Sequence, residues 1–154
     1  MSSFDEVLGA YTTLSGRSET RELEAIHVLC DIAKPYTLEG RSVLGRVSRV
    51  IDGDSMHVSM PIDGHIWTFP CCLAGIDCPE IRTRNSREKE LGYKAKKHVE
   101  DLVGNSIICL KLGEFDKYGR LLTTIYTSES INVATSLIEN NLGREYHGGK
   151  REAW

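Results

Sequence analysis

A chain of 154 residues, 40% apolar and 27% charged, has the make-up of an ordinary globular protein, which excludes the disordered, fibrous and membrane classes. It is long enough to bury one sizeable core and too short for two full domains. The net charge of −3 disfavours a uniformly basic nucleic-acid binder, but residues 1–40 carry seven acids against three bases; removing that −4 leaves +1 for the rest.

No apolar run approaches the ~18 residues that a membrane helix needs. Met1 to Glu6 shows neither a basic start nor an apolar leader, so an intracellular, cytoplasmic protein with no signal peptide and no membrane contact is expected. Cys30, Cys71, Cys72, Cys78 and Cys109 are odd in number and lack disulfide spacing, which fits a reducing compartment.

Residues 1–40 read as a helical or partly disordered N-terminal extension. A helix is expected from Glu19 to Ala33, with Leu23, Ile26, Leu29 and Ile32 on one side and Pro35 ending it. Residues 41–154 read as the main domain. Strands are expected at Val43 to Ile51, Ser55 to Met60 and Ile66 to Leu73, with Asp63-Gly64 as the turn between the last two. Asn85 then caps a helix, with Glu88 three residues on, Leu91, Ala95, Val99, Leu102 and Val103 at helical spacing, and Gly104 as the stop. Strands near Ser106 to Leu112 and Arg120 to Tyr126 and a helix from about Ile131 to Asn140 complete the order. The expected fold is α+β: a closed antiparallel five-stranded barrel of OB-fold plan, with one helix between the third and fourth strands and a second after the fifth.

Two acidic segments stand at strand ends, Ile51-Asp52-Gly53-Asp54-Ser55 and Gly75-Ile76-Asp77-Cys78-Pro79-Glu80. A hard divalent cation takes several oxygen ligands, and Asp54, Asp77 and the main-chain carbonyl of Cys78 can supply part of that shell. Gly53 is expected to tighten the first turn and Pro79 to fix the exit from the second. Glu80 then stands where a carboxylate could take a proton from water beside the cation. Past it, Arg82, Arg84, Arg87, Lys89, Lys94, Lys96 and Lys97 form either a basic rim for phosphate or the solvated face of a helix.

These segments resemble the staphylococcal nuclease-like (thermonuclease) family. Besides the two acidic blocks, the resemblance rests on a helix carrying Gly92 and Ala95, on Asp116-Lys117-Tyr118-Gly119-Arg120, and on Leu142 to Gly149. It implies Ca²⁺-dependent cleavage of phosphodiester bonds in DNA or RNA by a monomeric OB-fold domain. Carried onto this sequence, Asp54, Asp77 and the Cys78 carbonyl would bind Ca²⁺, and Asp52 would support that shell. Glu80 would be the general base, Arg120 would steady charge on the phosphate, and Tyr118, Tyr146 and Lys117 would line the nucleotide pocket. Tyr118 and Tyr146 are equally able to be half-buried barrel residues with wet hydroxyls.

One departure bears on rate. Five residues before Asp77 the family usually has an arginine that clamps phosphate, and here that residue is Cys72, which offers no guanidinium fork. Arg82 and Arg84, just beyond Glu80, are candidates to reach the phosphate instead. The alternative is a catalytically lapsed domain that binds nucleic acid or a protein partner. Zinc is disfavoured: Cys71 and Cys72 are adjacent on a strand and face opposite sides, and no Cys-x₂-Cys pair exists.

Overall fold

The computed structural model describes residues 3–16 and 18–154. It divides the chain into two compact units, one ending at Tyr36 and one spanning Thr37–Trp154. The first unit holds α1 (Phe4–Ser15) and α2 (Glu19–Asp31). In α2, Ile26 and Leu29 of the expected apolar stripe are exposed, as is Ile32 just after it.

The second unit is a closed barrel with strand order β1-β2-β3-β6-β5. Its strands are β1 (Ser42–Asp52), β2 (Ser55–Ile62), β3 (His65–Leu73), β5 (Ile108–Phe115) and β6 (Leu121–Tyr126). Alternation builds the core: Met56, Val58, Met60 and Ile62 of β2 and Leu121 and Ile125 of β6 point inward and are buried. Leu38 joins the same core. The β2–β3 hairpin turns at Asp63 and Gly64, both at positive φ (49° and 84°), as a two-residue turn of the primed type requires.

The barrel is not antiparallel throughout, as the sequence reading expected. β3 and β6 pair in parallel, Cys71 beside Leu121 and Leu73 beside Thr123. The reason is the insertion of α3 (Ser86–Val103), which carries the chain across before it re-enters the sheet, and a parallel pair requires such a crossover. α3 buries Gly92, Ala95, Val99 and Val103 against the barrel. Two-residue strands β4 (Ile76–Asp77) and β7 (Arg144–Glu145) form a separate small sheet, which has no counterpart in the sequence reading. α4 (Val133–Glu139) ends near Asn141, whose φ of 58° is a left-handed conformation that asparagine tolerates.

Candidate active site

The site lies where the β1–β2 turn, β4 and the β5–β6 turn converge. Asp54 follows Gly53 in the first turn. Gly53 is absent from the positive-φ residues, so it is not there to tighten the turn. A Cβ on it would lie 2.7 Å from Ala95 Cβ and 3.1 Å from Cys78 Sγ; glycine lets α3 and Cys78 close over the turn. Asp77 ends β4, where it pairs with Arg144 of β7.

The two aspartates are tied together. The backbone N–H of Cys78 donates to Asp54 Oδ2 at 3.1 Å, and Ser55 Oγ donates to Asp54 Oδ1 at 3.0 Å. Both carboxylates are buried, Asp54 at 7% exposure and Asp77 at 2%. Burial raises the Asp54 pKa above its ordinary value, against the bonds from Cys78 and Ser55 and the charge of Arg151; the charge of Asp77 adds to the rise.

This donor set fits a hard cation. Asp77 Oδ1 is buried and receives no hydrogen bond among the described residues; Arg151 Nε stands 3.0 Å away as an ion pair, off line for hydrogen bonding. Two buried carboxylates, one with an oxygen left over, suit an oxygen-seeking divalent ion. Among the described residues no group of three or more His, Cys, Asp or Glu side chains forms a ready-made metal cluster, so further ligands would be main-chain carbonyls, such as that of Cys78, and water. Asp52 Oδ1 accepts from the Ile81 N–H at 3.3 Å and so holds the turn that follows Glu80.

Glu80 is positioned by α3. Asn85 caps that helix by accepting from the N–H groups of Arg87 and Glu88 at 3.0 and 3.2 Å. Glu88 does not reach back to the Asn85 N–H as a capping-box partner would; it accepts from the Glu80 N–H at 3.3 Å and from Thr83 Oγ1 at 2.9 Å. Gly92 completes the seat. A Cβ there would lie 2.9 Å from the Pro79 carbonyl oxygen and 3.0 Å from the Glu80 carbonyl carbon, so only glycine lets the helix rest directly on the Pro79-Glu80 turn.

Arg120 and Tyr118 line an open cleft of about 680 Å³ together with Glu80. Asp116 fixes Arg120: Oδ2 accepts from Arg120 Nε at 2.8 Å, while Oδ1 accepts from the N–H groups of Tyr118 and Arg120, both at 2.9 Å. Arg120 Nη1 also donates to Ser55 Oγ at 3.3 Å, which links it through Ser55 to Asp54. Tyr118 is 72% exposed, with Lys117 Nζ 5.0 Å and the Arg120 guanidinium 5.6 Å from its ring centre. Tyr146 lines the same cleft and donates its hydroxyl to the Gly149 carbonyl at 2.8 Å.

The basic stretch after Glu80 divides. Lys94, Lys96 and Lys97 pair with Glu90, Glu100 and Asp101 one turn along α3, at 2.7, 3.9 and 2.9 Å, and form a solvated face. Arg82 and Arg84 are exposed and line none of the clefts that hold Asp54, Asp77 and Glu80. Cys71 packs in the core. Cys72 lies opposite Ser55 on the neighbouring strand and lines a second cleft, about 430 Å³, with Asp54, Arg120 and Arg151.

The guanidinium beside Asp77 comes from a residue that sequence reasoning missed. Arg151 pairs with Asp77 Oδ1 and, through Nη1, with Glu80 Oε1. Trp154 Nε1 donates to Asp77 Oδ2 at 3.3 Å, and the Arg144 guanidinium lies 3.8 Å over the Trp154 ring. Asp116 and Ser55 were also missed as the holders of Arg120. Asp116 alone carried a local signal, as an acid four residues before the arginine on a tight turn.

A barrel closed by a parallel β3–β6 pair thus carries acids at two strand ends and an arginine on the β5–β6 turn. The chain belongs to the staphylococcal nuclease homologue family, whose model matches residues 70–152. It is 28% identical over 151 residues to Endonuclease YhcR of Bacillus subtilis (strain 168), which aligns 93% of this chain with 12% of that protein. It is 25% identical over 130 residues to Endonuclease Htp3 of Saprolegnia parasitica (strain CBS 223.65), aligning 75% of this chain with 62% of that one. The chain thus spans less than two thirds of either relative.

Proposed function

We propose that this domain hydrolyses phosphodiester bonds in DNA, RNA or both, with Ca²⁺ as its cation. The observation that carries the reading is the joining of Asp54 and Asp77 through the Cys78 N–H, with Glu80 and Arg120 lining one cleft. The endonuclease names of the two relatives support it.

Asp54, Asp77 and the Cys78 carbonyl would hold the cation. When bound, a divalent ion neutralises phosphate oxygens and lowers the barrier to in-line displacement. Glu80 takes a proton from water, the water oxygen bonds to phosphorus, and one P–O ester bond breaks. Its electron pair leaves on the sugar oxygen, which takes up a proton from solvent to give a free hydroxyl. Arg120, already aimed by Asp116 and Ser55, donates to the phosphate oxygens as their charge grows, without reorganisation at that moment. Tyr118, Tyr146 and Lys117 supply an aromatic and basic wall for the nucleotide.

The test is digestion of plasmid DNA and of RNA by the purified chain, with Ca²⁺ or with chelator. Cleavage in Ca²⁺ alone is expected, and no cleavage of either polymer overturns the reading. A second reading, a lapsed domain that binds without cutting, draws on Cys72 and on the pairing of Arg151 with both acids. Its signature is salt-sensitive nucleic-acid binding that survives chelation, without products.

A further inference from the structure

We propose that Arg151 is the second phosphate-directed cation of this site, supplying from the segment after Gly149 the guanidinium that position 72 lacks. The inference rests on the nuclease reading above and deepens it.

Position 72 faces the site. Cys72 is opposite Ser55, the residue that bridges Arg120 and Asp54, so an arginine there would point at the same phosphate as Arg120. A thiol carries no positive charge at any pH, and the cleft it lines is left with the guanidiniums of Arg120 and Arg151. Arg151 lines the larger cleft as well, with Glu80, Arg120 and Tyr146.

The two arginines are held differently. Arg120 is locked by Asp116, which has no proposed part in the chemistry. Arg151 pairs with Asp77 and Glu80, the acids proposed to hold the cation and to act as base. A divalent cation held by Asp54 and Asp77 would offset the attraction of Asp77 for Arg151. Released from Asp77, Arg151 would stand in the same clefts as Arg120, where a planar guanidinium can take a phosphate in two bonds. Gly148 and Gly149, at φ 101° and 99°, precede it, and beyond it Arg144 Nη2 donates to the Ala153 carbonyl at 3.0 Å. Arg151 therefore sits on a short span held before it by the Tyr146–Gly149 hydrogen bond and beyond it by the Arg144–Ala153 bond.

The experiment uses Arg151→Gln in the full chain, with three readouts. First, Ca²⁺ is titrated without nucleic acid by Trp154 fluorescence in a Trp67→Phe background; removing the competing guanidinium is expected to tighten Ca²⁺ binding several-fold. Second, binding of a labelled single-stranded oligonucleotide in Ca²⁺ is measured against salt in a Glu80→Gln background. Loss of one phosphate contact is expected to reduce the salt slope by about 0.7. Third, cleavage is expected to fall by about 10²-fold, and adding Cys72→Arg to Arg151→Gln is expected to recover at least tenfold. An unchanged salt slope with an unchanged rate overturns the proposal, and so does weaker Ca²⁺ binding, which would make Arg151 a structural brace for the acids. If the wild-type chain does not cleave at all, the nuclease reading fails separately, and the salt slope alone decides whether Arg151 touches phosphate.

Discussion

The backbone N–H of Cys78 donates to Asp54 Oδ2 at 3.1 Å, so the residue after one buried aspartate orients the other. The bond crosses between two strand ends 24 residues apart and makes the pair of carboxylates one unit. Loading of either with a cation is therefore coupled to the position of both.

The Asp54 carboxyl titrates above its ordinary value because burial opposes its charge more strongly than Cys78, Ser55 and Arg151 favour it, with Asp77 adding to the rise. A cation needs the ionised form. Ca²⁺ affinity should therefore fall as pH drops through this raised value, beginning at a higher pH than for an exposed aspartate. Without cation the sign reverses: the folded state binds this proton more readily than the unfolded chain, so the group's contribution to stability grows as pH falls through the folded pKa and levels off below the unfolded one. Calcium titrations and melting curves across the acidic range measure both; a Ca²⁺ affinity that begins to fall only near the exposed-aspartate pKa contradicts the account.

Asp54→Asn removes the buried charge; its one carbonyl oxygen can take the Cys78 N–H, and its NH₂ then turns to Ser55 Oγ, which becomes the acceptor. Without cation, melting should rise by about 2–4 °C, equivalent to about 1 kcal/mol, while Ca²⁺ affinity drops at least tenfold. A lower melting temperature would show that the charge is needed for folding.

Asp116 holds Arg120 by three bonds to the β5–β6 turn. Asp116→Ala should lower the cleavage rate by roughly 10- to 100-fold through misplacement of the guanidinium. Calcium titration should be unaffected, since Asp116 does not touch Asp54 or Asp77. A matching loss of Ca²⁺ affinity contradicts this assignment.

Gly92→Ala should act on the base. The added methyl group meets backbone at 2.9 Å, which α3 or the Pro79-Glu80 turn must yield to, at a cost of about 1–3 kcal/mol. Because Glu80 moves with that turn, rate should fall more than cation affinity does; equal losses would place the strain at the aspartates.

The thiols should be bystanders. Burial, with Cys72 adding charge, pushes Cys71 up to about 12; burial, with Asp54 adding, pushes Cys72 up to about 11. At neutral pH both are protonated and poor nucleophiles or metal ligands. Cys72→Ser should leave the cleavage rate within about threefold, and in the unmutated folded chain both thiols should alkylate slowly. A large loss in Cys72→Ser would give the thiol a role that the geometry does not.

The barrel strands were legible because alternation is local: Met56, Val58, Met60 and Ile62 repeat every second residue, and Asp63-Gly64 and Asn85 mark turn and cap within a few residues of what they control. The parallel β3–β6 pair was not, since its direction depends on where α3 returns the chain. Two-residue strands such as β4 and β7 carry no periodicity to detect. In the site, Asp54, Asp77 and Glu80 stand out in the sequence as acids beside turn residues, whereas Arg120 is singled out only by the family resemblance. Arg151 could not be read: it lies 71 residues from Glu80 in a segment without pattern, and only the fold brings them together. Gly53 and Gly92 were visible as glycines, but their purpose is the closeness of α3, which no local signal reports.

The most direct test of the central claim compares wild type with Glu80→Gln in cleavage of DNA and RNA at saturating Ca²⁺. A general base in this position predicts a rate lower by about 10²- to 10⁴-fold in the variant, with Ca²⁺ affinity preserved. Equal cleavage by the two proteins, or none by wild type, would contradict the account.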